Sequence, residues 1–149
     1  MQSPVDNLKI RLLTVGNPDI RTEAPTTING ELSSSDLKIQ YQVSVVVNRP
    51  LSEVDVIVAM TYLSKGEILF SGRLTSTFEV VDLASFITVK DDDDQFQIES
   101  NFLPMLISIA FSTTRGYFAR ELQGTALAPF PFPMITMERL QKRTTFKLI

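Results

Sequence analysis

The chain has no cysteine, no histidine and no tryptophan. Without cysteine there can be no disulfide, no thiolate nucleophile and no cysteine-ligated zinc, and cysteine usage cannot report a redox compartment. Without histidine the commonest general acid–base group and metal ligand is gone. Together the two absences exclude Ser-His-Asp and Cys-His triads, HExxH zinc sites and most transition-metal chemistry. A hydrolase built on two carboxylates alone stays open. Glycine-rich phosphate-cradling motifs are missing too, so no nucleotide cofactor is expected.

No apolar stretch approaches the roughly 20 residues that span a bilayer. Met1-Gln2-Ser3-Pro4-Val5-Asp6 carries neither the basic start nor the apolar run of a secretory signal. A cytoplasmic protein without membrane insertion is therefore expected. Positive charge is scarce as well. The net charge is −3, and the main basic cluster is Arg139, Lys142, Arg143 and Lys147. Nucleic-acid binding would need a larger basic face.

What is present suits one domain over residues 1–149. Hydrophobic residues make up 44% of 149, with ten phenylalanines, enough for a single core without a staple. Leu8 to Val15 alternates as a strand, Gly16-Asn17-Pro18-Asp19 signals a turn or bulge, and Ile20 to Ala24 resumes the extended path. Thr26 to Asp36 reads as a connecting loop. Leu37 to Val47, Val54 to Leu63 and Glu67 to Val81 then alternate apolar and polar residues, with a tight turn at Ser64-Lys65-Gly66. They predict an antiparallel meander, with the first strand joining one edge. Ala84 to Val89 is ambiguous between strand and loop.

The pattern changes at Asn101 to Thr114, which is apolar nearly all round. It predicts a helix capped by Ser100 or Asn101, with Pro104 harmless in its first turn and a stop at Gly116. One sheet face cannot cover such a helix, so a second subunit is expected on it. Tyr117 to Ala128 reads as a crossing segment. Pro129, Pro131 and Pro133 alternate with Phe130 and Phe132 in an extended loop. Ile135 to Arg143 predicts a short amphipathic helix, and Thr144 to Ile149 a frayed or extended tail. The expected fold is α+β: a four-stranded antiparallel sheet with a long and a short helix packed on one face.

Candidate sites are few. Asp91-Asp92-Asp93-Asp94 lacks the alternation, the glycine and the distal Glu of a calcium loop, so a solvated acidic turn is expected. Glu23, Glu31, Glu53, Asp55 and Glu67 show no spacing that pairs them as acid and base. The densest feature is apolar: Phe130, Phe132, Met134, Ile135, Met137 and Leu140. Core packing accounts for such residues one by one. As a set beside a proline-stiffened loop they could wall a groove, where methionine adapts to varied partners.

Ser112-Thr113-Thr114-Arg115-Gly116, followed by Leu127-Ala128-Pro129, resembles the SecB protein-export chaperone family. Asp19-Ile20-x-x-Glu23-Ala24-Pro25 is similar to that family's segment after its first strand. The order of elements agrees as well, over roughly residues 8 to 141. The resemblance implies a cytoplasmic chaperone that holds unfolded polypeptide clients in hydrophobic grooves, without a cofactor, as a homotetramer that is a dimer of dimers. It places client contacts at Leu37, Ile39 and Tyr41 on a strand, and at Ile135, Met137 and Leu140 on the closing helix. The apolar cluster adds Phe130, Phe132 and Met134. The family also docks a SecA motor through acidic residues, two of which match Asp19 and Glu23. A third acidic position falls near Gly72 or Arg73, and the C-terminus is basic where the family has an acidic tail.

The readings are therefore a holdase for unfolded chains, or an adaptor of the same fold dedicated to one partner, as in toxin–antitoxin systems. The carboxylate-only hydrolase is the third.

Overall fold

The computed structural model describes residues 9–22, 36–89, 96–98 and 102–149. Among these residues seven strands and two helices follow in the order β1 (Ile10–Thr22), β2 (Leu37–Asn48), β3 (Glu53–Ser64), β4 (Glu67–Val80), β5 (Ile87–Val89), β6 (Phe96–Ile98), α1 (Phe102–Glu121), α2 (Met137–Lys142) and β7 (Thr144–Leu148). A 3-10 turn, Leu83–Phe86, precedes β5.

The central meander forms because its apolar residues alternate with period two, the repeat that sends every second side chain to one face. Pairing keeps that face in phase across three strands. Val43, Val45 and Val47 lie opposite Val58, Val56 and Val54, and Val58 and Val54 lie opposite Leu74 and Phe78. All eight are buried. Lys65 and Gly66 both take positive φ, 51° and 79°. These are the signs that a two-residue hairpin turn needs to match strand twist. β1 pairs with β4, and its register shifts twice, between Leu12 and Thr14 and between Gly16 and Asp19.

The sheet is larger than the expected four strands. Its order is β1-β4-β3-β2-β7, and β7 runs parallel to β2. The expected tail is thus a strand. Arg143 ends α2, its carbonyl accepts from the N–H of Val43 at 3.2 Å, and Thr144 Oγ1 donates to the Leu140 carbonyl at 2.6 Å. The chain leaves the helix already aligned with β2. β5 and β6 form a separate two-stranded ribbon, which resolves the ambiguous Ala84–Val89 stretch into a 3-10 turn and a short strand.

α1 lies against β3 and β4. Leu103, Ile107, Ala110, Thr114 and Phe118 form its buried stripe, at the three- and four-residue spacing of one helix face. The ring of Phe118 packs over Gly72. A Cβ on Gly72 would stand 2.6 Å from the Phe118 ring tip. The expected helix stop at Gly116 is overturned. α1 runs through it to Glu121, because Phe118 and then Leu122 continue the buried stripe and outweigh about 1 kcal/mol of glycine cost. The opposite side of α1 exposes Met105 (45%) and Ile109 (41%), with Ser108, Ser112 and Gly116 on the same side.

Ser100, Asn101, Glu23, Glu31 and Asp91 to Asp94 lie outside the described residues.

Candidate functional site

Three pieces of chain meet at one end of the sheet's core face: the first half of β2, the segment from Leu127 to Thr136, and the α1–α2 pair. Leu37, Ile39 and Tyr41 share the side of β2 that carries the core valines, and all three are half-buried. Tyr41 meets Phe111 of α1 edge-on at 6.0 Å. The Arg143 guanidinium lies over the Tyr41 ring, 5.9 Å from its centre, a cation–π geometry that holds the end of α2 beside β2.

The proline-containing segment is fastened from both sides. The Tyr62 hydroxyl donates to the Phe130 carbonyl, and the Tyr62 ring meets Phe132 edge-on at 4.6 Å. Arg115 Nε donates to the Phe132 carbonyl at 3.1 Å. Leu127 starts this path with its own turn, since its carbonyl accepts from the Phe130 N–H at 2.9 Å. Burial of Tyr62 pushes its phenol up to about 12, against a smaller opposing pull from Arg115. Removing a hydroxyl from water disfavours its anion, so Tyr62 stays a neutral donor. Thr136 then caps α2, accepting from the Arg139 N–H at 3.4 Å.

The cluster of six apolar candidates from Phe130 to Leu140 divides. Phe132 and Leu140 are core residues, 4% and 2% exposed, and anchor the segment from inside. Phe130, Ile135 and Met137 are half-buried against the core. Met134 is 85% exposed. Between α1 and α2 the chain leaves a shallow groove of about 140 Å³ lined by Ser108, Phe111, Ser112, Arg115, Met134, Ile135, Met137 and Leu140. Among the described residues no carboxylate lines it. Ser108, Phe111, Ser112 and Arg115 are groove residues that the apolar candidates alone did not include. Their signal was present in α1, at the three- and four-residue spacing of 108, 111, 112 and 115.

Asp19 sits elsewhere, on β1 at the far edge, 3.8 Å from Arg73 with both side chains exposed. They line a depression of about 840 Å³ together with Arg21 and Glu67. The patch is mixed in charge. Among the described residues no group of three or more His, Cys, Asp or Glu side chains could hold a metal ion. No helix there is long and apolar enough to cross a membrane.

Neither a protein-family model nor a curated protein matches the chain. Among solved structures it is similar to the SecB-like chaperone Rv1957 of Mycobacterium tuberculosis, in complex with a ChAD peptide from the antitoxin Rv1956 HigA1. The identity is 12%, with 88% of this chain and 93% of that chain covered, at a TM-score of 0.48.

Proposed function

We propose that the protein is a holdase that binds unfolded or extended polypeptide at the groove between α1, α2 and the Phe130–Thr136 segment. The observation that carries this is the state of Met134. A large apolar side chain stands 85% exposed on a segment pinned by Tyr62 and Arg115, so the exposure is built in rather than incidental. Apolar surface held open beside an acid-free groove favours apolar side chains of a partner, and methionines at 134 and 137 let it accept varied shapes. Binding the unfolded chain lowers its free concentration and opposes its aggregation. The motifs that resemble SecB point the same way.

The exposed side of α1 carries Met105 and Ile109 among small, uncharged residues. The proposal includes pairing of this face with a second copy, as in the tetramer that the resemblance implies, because a self-complementary patch closes a symmetric oligomer. Asp19 is neutralised by Arg73 and flanked by Arg21, so docking of a SecA-like motor through Asp19 and Glu23 is not part of the proposal.

Competition tests the reading against a dedicated adaptor. With a labelled unfolded protein bound, many unrelated unfolded peptides should displace it. Displacement by one partner sequence alone would make the protein an adaptor, and failure to bind any unfolded chain would sink both readings.

A further inference from the structure

The first half of β2 is a sheet edge. β7 pairs with Val43 to Val47 and reaches no further. The Val43 N–H donates to Arg143, and the Val47 carbonyl accepts from Ile149 at 2.8 Å, so odd-numbered residues of β2 turn their backbone groups toward β7. By the alternation of a strand, Leu37, Ile39 and Tyr41 turn theirs the same way. No strand pairs with that side among the described residues. A row of unpaired N–H and C=O groups is a template for an incoming strand.

The other edges are protected where this one is not. β1 carries two register shifts, Pro18 and the charges of Arg11, Asp19 and Arg21. β7 is five residues long with Lys147 within it. Shortness, charge, proline and bulges all discourage edge pairing. β2 is regular from Leu37 to Asn48 with no register shift, proline or glycine. Just where β7 begins, a depression of about 520 Å³ opens beside this edge, lined by Gln40, Gln42 and Lys142 among others, and among the described residues by no acid; Lys142 also lies 3.9 Å from the exposed Glu138.

We infer that an extended polypeptide, with apolar residues at alternate positions and carboxylates between them, adds as a strand to β2 at Leu37–Tyr41, in line with β7. This rests on the polypeptide-binding reading above and specifies its geometry. Apolar side chains fall on the side of Ile39 and Tyr41. Carboxylates fall on the opposite side, beside Gln40 and Gln42, where Lys142 lines the depression. Five residues of strand span about 16 Å, so a short segment of a client suffices.

The test uses a capped seven-residue peptide alternating leucine and aspartate, binding to the full chain. Two N-methylated forms remove alternate sets of amide protons. Strand addition predicts that one set weakens binding about tenfold or more and the other stays within about twofold. Which set matters reports the strand direction. The leucine–lysine counterpart should bind about tenfold more weakly, and K142E should reverse that preference. Equal effects of the two methylated sets, or equal binding of the aspartate and lysine peptides, would overturn the inference. Should a reduced unfolded protein still bind in that case, the holdase reading stands without it. Should nothing bind, both fail.

Discussion

The Tyr62 hydroxyl donates to the Phe130 carbonyl while the Tyr62 ring meets Phe132 edge-on at 4.6 Å. One side chain from the middle of the sheet thereby fixes two successive phenylalanines of the proline segment, and with them the position of Met134. Everything proposed for the groove depends on that fastening.

Its phenol gives a pH signature. The group is near 10.0 when free and about 12 in the folded chain, so the folded state holds the proton more tightly. Stability from this source is fully present below about pH 10 and is lost as pH rises toward 12, amounting to about 2 to 3 kcal/mol. Urea unfolding of wild type and Tyr62→Phe across that range checks it. Wild type should lose stability more steeply. At neutral pH, Tyr62→Phe should cost about 1 kcal/mol for the lost hydrogen bond.

At Gly72 the ring of Phe118 from α1 packs directly against the sheet backbone. An added Cβ would meet the buried Phe118 ring at 2.6 Å. Gly72→Ala should therefore destabilise by about 1 to 3 kcal/mol through overpacking. Adding Phe118→Leu should recover part of that loss, giving a negative coupling in a double-mutant cycle. Additive losses would mean that the contact does not limit packing.

The uncharged outer side of α1 predicts self-association. Replacing Met105 and Ile109 together by aspartate should lower the solution mass measured by light scattering and leave the far-ultraviolet circular dichroism unchanged. An unchanged mass would remove α1 from any interface.

The meander of β2, β3 and β4 was legible because Leu37 to Val47, Val54 to Leu63 and Leu74 to Val80 alternate apolar and polar residues, and alternation of that length has one structural solution. β7 was not. Thr144 to Leu148 is short and bears a lysine, and its partner Val43 to Val47 lies some hundred residues earlier, where no local pattern reaches. The end of α1 was misplaced for a related reason. Gly116 carries a local stop signal, but the contact of Phe118 with Gly72 is tertiary and overrides it. For the site, the sequence brought Phe130 to Leu140 forward as one apolar cluster. It could not separate the anchors Phe132 and Leu140 from the exposed Met134, because burial depends on what Tyr62 and Arg115 hold. The open edge of β2 was equally hidden, since it exists only because β7 stops at Val43.

Equilibrium binding of a permanently unfolded, reduced protein to wild type and to Met134→Asp/Ile135→Asp tests the groove most directly. Met134 is exposed and Ile135 half-buried, so the melting temperature should fall little. Wild type should bind, and the variant should lose about tenfold or more in affinity. No binding by wild type, or unchanged affinity in a folded variant, would contradict the account.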